Sequence, residues 1–248
     1  MTIITPLYNS IETIDKTFYS ILRQSSKDFR WVVGDDMSTD GTFERLNWLV
    51  DNHGHCGLEI SLIKNSEKKM AMKNINDLIE RVKMENDEII GILDGDDWLQ
   101  GSAVKTVLER YESSGCWVTH GSYSVFPRGS IENPHTVPYP YEVIESGSFR
   151  SHRWLASHFR TFKYGLWKRI SKSDFLDENG EWIDTTYDLA VMFPMLEMAG
   201  PRIEFIRDKT YIYNYGTNIH DGKIRGDRQA YLAHYIRSKP RYERLETI

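Results

Sequence analysis

The apolar run Ile89-Ile90-Gly91-Ile92-Leu93 stops without transition at Asp94-Gly95-Asp96-Asp97. A strand apolar on both faces needs a sheet covered on both sides, which an α/β architecture provides. Open α/β sheets place their ligands at the carboxyl ends of such strands. Trp31-Val32-Val33, followed by Gly34-Asp35-Asp36, repeats the pattern. Three carboxylates in four positions repel one another unless a cation neutralises them, so the acidic strand end is expected to hold metal.

The first hundred residues alternate β-branched runs with amphipathic segments, the pattern of parallel strands joined by helices. Strands are predicted at Thr2 to Thr5, Phe29 to Gly34, Leu58 to Lys64 and Glu88 to Leu93, with helices at Ile11 to Gln24, Thr42 to Asp51 and Ala71 to Lys83. Ile14, Phe18, Ile21 and Leu22 share one helical face and should pack on the sheet. A helix from Ser102 to Ser113 and a strand from Cys116 to Ser122 extend this half. Phe126 to Ser148, with four prolines, reads as an irregular loop. Beyond it the spacing predicts helices at Trp154 to Ile170, Tyr187 to Ala199 and Asp227 to Arg237, and two short strands within Arg202 to Tyr215 turning at Asp208-Lys209. The expected organisation is a single domain over residues 1–248, with 1–123 as a nucleotide-binding half and 124–248 as an acceptor half.

A net charge of -5 argues against broad nucleic-acid binding, which draws on a basic face. Cys56 and Cys116 are too few for a disulfide framework or a zinc site. With no apolar stretch approaching a membrane span and no leader pattern, a cytoplasmic protein is expected. The basic cluster Arg237, Lys239, Arg241 and Arg244 is the place for a peripheral contact to a membrane.

In an extended segment Asp94 and Asp96 point the same way, and Gly95 lets the backbone approach a ligand closely. Oxygen ligands suit Mg²⁺ or Mn²⁺. A calcium loop fails on spacing, because the twelfth position from Asp94 is Lys105. At the second acidic edge Asp40 suits a helix N-cap, whereas a carboxylate at Asp35 or Asp36 can accept a hydrogen bond from a base imide or a ribose hydroxyl. Tyr8, after the first strand, offers a ring to a nucleobase. Trp154, Trp167 and Trp182 have the flat faces sugar rings pack against, although core packing explains such residues as well.

Taken in order, Thr5-Pro6-Leu7-Tyr8-Asn9, the helix ending Ser20-Ile21-Leu22-Arg23-Gln24-Ser25, Asp35-Asp36-Met37-Ser38-Thr39-Asp40-Gly41-Thr42, Lys73-Asn74 and Leu93-Asp94-Gly95-Asp96-Asp97 resemble the family 2 glycosyltransferases. The resemblance implies a GT-A fold: a Rossmann-like, mainly parallel central sheet flanked by helices, with a C-terminal acceptor-binding extension. It implies a nucleoside-diphosphate-sugar donor, a UDP-sugar by default, a divalent metal, and transfer with inversion to a glycan, lipid-linked or protein acceptor. Carried over by position, Thr5, Pro6 and Tyr8 line the base pocket and Asp36 contacts base or ribose. Lys73 approaches base or diphosphate, Asp94 faces ribose or metal, and Asp96 is the principal metal carboxylate. Met37 stands where the family has a small residue. Asp188, or alternatively Asp184, matches the base of the acceptor-side helix. His158, Arg160 and Trp182 are acceptor-side candidates, and His220 is placed to reach the diphosphate or metal.

Other classes fit less of the chain. A nucleotidyltransferase calls for a glycine-rich, basic loop after the first strand, and Thr5 to Ser10 has neither feature. A receiver-type phosphoacceptor module leaves the DxDD run and the second half unexplained. A catalytically silent sugar-nucleotide-binding protein of the same fold remains for experiment to separate.

Overall fold

A computed structural model of the chain describes residues 1–54, 57–129, 136–216 and 226–248. Its centre is an eight-stranded sheet in the order β3-β2-β1-β4-β7-β6-β8-β5, formed by β1 (Thr2–Leu7), β2 (Arg30–Asp35), β3 (Glu59–Lys64), β4 (Ile89–Ile92), β5 (Trp98–Leu99), β6 (Val118–Phe126), β7 (Arg160–Lys163) and β8 (Ile203–Asn214). The first four strands run parallel to one another. Strand β7 is antiparallel to both β4 and β6, and β8 is parallel to β6.

Successive residues of β1 separate into different cores, as the two-residue period of a strand requires. Ile3 packs with Phe18 and Ile21 of α1 (Ile14–Leu22), with Leu46 of α2 (Thr42–His53), and with Val104 of α4 (Ala103–Ser114). Ile4 belongs with Met72, Ile75 and Ile79 of α3 (Met70–Arg81), and that core continues through Phe162 to α7 (Tyr187–Ala199). Burial on both faces is the condition the apolar runs anticipated. Three further helices, α5 (Tyr141–Ser146), α6 (Tyr164–Trp167) and α8 (Gly226–Ser238), complete the described elements of the second half together with two short 3₁₀ turns.

The helix expected over Trp154 to Ile170 does not form. Residues 160–163 are strand β7, and only Tyr164–Trp167 make a helical turn. Apolar residues there recur at spacings a helix also shows, but the open hydrogen-bonding edges of β4 and β6 claim the segment, and tertiary pairing overrides the local pattern. Nor do Arg202 to Tyr215 turn back on themselves. They form one twelve-residue strand, with its register against β6 shifting around Ser122 so that Asp208 falls in an irregularity. The proline-rich stretch contains α5, and residues 130–135 lie outside the described set. Among the described residues no helix is long and apolar enough to cross a membrane.

Candidate functional site

The acidic run is a turn and not an extended segment: the Asp97 amide donates to the Asp94 carbonyl at 3.1 Å. This corrects the expected pairing of carboxylates, because a turn of this length brings residues three apart together. Asp94, Asp97 and His158 each offer a donor atom, all within 4.8 Å of one another. Asp96 is not one of these three, although it lines the same cavity as they do. Gly95 also lines it, but the space a Cβ would need is taken by the Pro6 carbonyl and Leu7. Its small size therefore serves close packing of the turn on β1.

Asp97 is fixed from two sides, by Tyr211 Oη donating at 2.7 Å and by the Asn214 amide at 2.7 Å. Burial, then the neighbouring Asp96 and Asp94, push its carboxyl well above the usual range. His158 stacks on Tyr211 with ring centroids 4.4 Å apart, and its buried Nδ1 has no hydrogen-bond partner. Burial, assisted by Arg160, holds the imidazole well below its ordinary pKa and hence neutral. A neutral imidazole with an unused nitrogen beside two crowded carboxylates is a donor set that fits a divalent cation.

A cavity of about 490 Å³ opens from this cluster. Pro6, Tyr8, Asp36 and Lys68 are among its lining residues. Asp36 accepts from the amides of Lys69 and Met70 at 2.7 and 2.9 Å and from Asn65 Nδ2 at 3.2 Å, and Lys68 Nζ lies 3.4 Å from its Oδ2. These contacts hold the turn that enters α3, where Met70 has a φ of 61°. Lys68 also lies over the ring of Tyr8, which is 40% exposed.

Arg160, also in the lining, joins two carboxylates, with Nη2 3.3 Å from Asp94 and Nη1 3.3 Å from Asp188. Burial opposes the guanidinium charge, but Tyr187, Asp94 and Asp188 outweigh it and keep Arg160 charged. Tyr187 Oη donates to the other oxygen of Asp94. Desolvation in the cavity wall raises the Asp188 carboxyl, against the pull of Arg160. Asp184 also lines the cavity and lies 3.2 Å from Arg228 Nε.

Pro6, Tyr8, Asp36, Asp94, Gly95, Asp96, His158, Arg160, Asp184 and Asp188 thus share one cavity. Other expected residues stand apart from its lining. Thr5 is fully buried and accepts from Trp31 Nε1, and Asp35 is buried and accepts from the Ser38 amide. Lys73 pairs with Asp77 at 2.8 Å on α3 and faces the Trp182 ring. Trp154 meets Phe193, and Trp167 stacks between Phe162 and Phe175. His220 lies outside the described residues. Sequence reasoning passed over Lys68, Asp97 as an individual ligand, and Tyr187. The last two adjoin residues it had singled out, whereas Lys68 carries no local signal.

Comparison with known proteins agrees with this architecture. The model of "Glycosyl transferase family 2" matches residues 2–172. The putative teichuronic acid biosynthesis glycosyltransferase TuaG of Bacillus subtilis (strain 168) is 29% identical over 127 residues, which are 50% of this chain and 47% of that protein. The chain therefore spans about half the length of that relative. Among solved structures, S. aureus TarS 1–349 in complex with UDP-GlcNAc superposes with a TM-score of 0.64 at 18% identity, over 88% of this chain and 59% of that one. Mannosyltransferase PcManGT from Pyrobaculum calidifontis, in complex with GDP-Man and Mn²⁺, gives 0.62 at 19% identity, over 97% and 65%. Matched over more than half its length and built on the same mixed sheet, the chain belongs to glycosyl transferase family 2 and has the GT-A fold.

Proposed function

We propose that the protein transfers a sugar from a nucleoside-diphosphate sugar, by default a UDP-sugar, to a hydroxyl of a glycan, lipid-linked or protein acceptor, with inversion at the anomeric carbon. The observation that carries this reading is one cavity lined by a metal-compatible acidic turn, an exposed tyrosine and a carboxylate of raised pKa. UDP-GlcNAc in TarS and GDP-Man with Mn²⁺ in PcManGT support a nucleotide-sugar donor and a divalent ion.

Residues 1–123 supply the donor side in this reading. Tyr8 stacks on the base once Lys68 moves aside, and Pro6 bounds the pocket. Asp36 keeps the 68–70 turn in place and has little acceptor capacity left for the base itself. Thr5, Asp35 and Lys73 support the pocket from behind its lining. Asp94, Asp97 and His158, with Asp96 adjoining, would hold Mn²⁺ or Mg²⁺, which when bound offsets the charge that develops on the diphosphate leaving group. An imidazole among the ligands favours Mn²⁺ over the strictly oxygen-seeking Mg²⁺.

Residues 124–248 supply the acceptor side. Asp188 takes the proton of the attacking hydroxyl, a task for which a raised carboxyl pKa is suited. Arg160 holds Asp188 in place and keeps Asp94 aligned. Asp184, turned toward Arg228, is the alternative base.

Donor-sugar hydrolysis in Mn²⁺ tests the proposal. Asp94→Ala should abolish the metal-dependent rate. Asp188→Asn should lower turnover by about 10² to 10⁴ while a nucleoside diphosphate still raises the melting temperature. If no nucleoside diphosphate or its sugar stabilises the protein with or without Mn²⁺, the proposal is wrong. Loss of turnover in Asp184→Asn with retention in Asp188→Asn would transfer the base to Asp184.

A further inference from the structure

A second cavity, about 420 Å³ in volume, is lined by Gly147, Ser148, Arg150, Ser151, Glu197, Arg237, Lys239 and Arg241. Four of these side chains are cations and one is a carboxylate. Such an excess of like charge is unfavourable in a recess for the reason that three clustered aspartates are, and an anion relieves it.

The hydrogen bonds show which cations are spent and which remain available. Arg150 grips the nearly buried Glu197 in a two-pronged pair, at 2.7 and 3.0 Å, so the single carboxylate is already matched. Lys239 uses its ammonium on the carbonyls of Ser173, Asp174 and Leu176. It adds charge to the recess but no spare proton. Among the described residues, Arg237 is anchored through Nη1, to the carbonyls of Arg150 and His152, and Arg241 through Nη1, to the Ser146 carbonyl. Among those residues no acceptor meets their Nε and Nη2 groups. Two guanidinium edges, each fixed at one corner, are therefore presented to the same recess. That arrangement suits an oxyanion with several acceptor oxygens. Burial also pulls Arg237 and Lys239 below their ordinary pKa values, so the recess already works against its own charge.

We propose that this recess is a binding site for a phosphate-class oxyanion, separate from the donor cavity, with Arg237 and Arg241 as its direct donors and Arg150 and Lys239 as supporting charges. The two cavities meet opposite ends of α7. Asp188 lines one and Glu197 the other, nine residues apart, which is about 13 Å along a helix. A diphosphate in the donor cavity cannot reach both. The phosphate has two chemical sources, a diffusible phosphorylated compound or a lipid headgroup, and the site's chemistry is common to them.

The test uses the full chain in EDTA, so that no metal holds anions at the acidic turn. Calorimetric titration with inorganic pyrophosphate should show saturable binding. Arg241→Ala, at an exposed position, should weaken it about ten-fold or more, the loss expected for a charge-assisted contact. Ser151→Glu places a carboxylate on the exposed rim and should weaken binding without touching the arginines. Lys68→Ala, in the donor cavity, should leave it unchanged. Co-sedimentation with vesicles of phosphatidylglycerol, against phosphatidylcholine, identifies the source. Arg241-dependent retention on the anionic vesicles assigns the phosphate to a headgroup, and pyrophosphate binding without retention assigns it to a diffusible ligand. The proposal fails if neither probe binds saturably, or if binding is lost in Lys68→Ala and kept in both Arg241→Ala and Ser151→Glu. Either result leaves the donor-site reading standing, since that rests on nucleotide binding at the other end of α7.

Discussion

Arg160 holds two carboxylates together at a place where its own burial opposes its charge. Removing one partner of a buried ion pair costs more than the pair contributes, because the remaining charge stays desolvated. Arg160→Met should therefore lower stability in urea by about 3–5 kcal/mol, whereas Arg160→Lys keeps the charge and should lose less. Equal losses in the two variants would show that side-chain packing, and not charge, is what Arg160 supplies. A second residue-scale expectation concerns pH. His120 is buried among Tyr139 and Phe205, and desolvation lowers its pKa to about 4. As pH falls from about 6.5, the ordinary histidine value, the unfolded chain binds a proton that the folded chain refuses. Stability is therefore lost progressively until pH reaches about 4, by about 3 kcal/mol in all. His120→Phe should flatten the acid limb of the stability–pH curve by that amount. Asp97, Asp188 and Glu197, whose carboxyls are raised, act in the opposite direction, so the difference between the two curves is what isolates His120.

Helix α3 packs on the sheet over a small residue as well as over apolar ones. A Cβ at Gly34 on β2 would meet Asn74 Oδ1, and would lie 2.9 Å from a methyl of Leu78, both on α3. Asn74 in turn donates to the Gly34 carbonyl at 2.7 Å. Gly34→Ala should cost about 1–3 kcal/mol through overpacking, seen as a lower urea midpoint with an unchanged m-value. A neutral effect would mean that α3 shifts freely on the sheet. The early elements were legible in the sequence because each parallel strand is a continuous apolar run and each helix a 3.6-residue stripe, and both signals are local. Strand β7 was not. Arg160-Thr161-Phe162-Lys163 is short, and its strand state is set by the edges of β4 and β6, some 70 and 40 residues away in the chain. The same dependence on a partner explains β8, whose continuity through Asp208-Lys209 is imposed by β6.

Across the whole molecule the basic C-terminus works as an internal clamp. Lys239, Arg241 and Arg244 donate to carbonyls of residues 173–176 and 144–146, the Leu245 amide donates to Met198, and Arg202 holds the carbonyls of Leu245 and Glu246. Deleting residues 239–248 removes at least three such buried or half-buried contacts at about 1 kcal/mol each, so the melting temperature should fall by about 6–12 °C. An unchanged melting temperature would show the tail to be loosely held. That these cations also reach backbone carbonyls of the same chain is not legible in the cluster's composition, because nothing in a sequence reveals which carbonyls lie within reach. The same division runs through the candidate site. By itself the sequence determined the alternation of buried strands and helices and the placing of carboxylates at strand ends, because burial and strand termination are properties of consecutive residues. Only the tertiary structure decided that Asp94 meets Asp97 across a turn, that β7 and the bend before it deliver Arg160 and His158 to them, and that Lys68 rather than Lys73 lines the cavity. Those choices depend on hydrogen-bonded edges and helix faces contributed by distant parts of the chain.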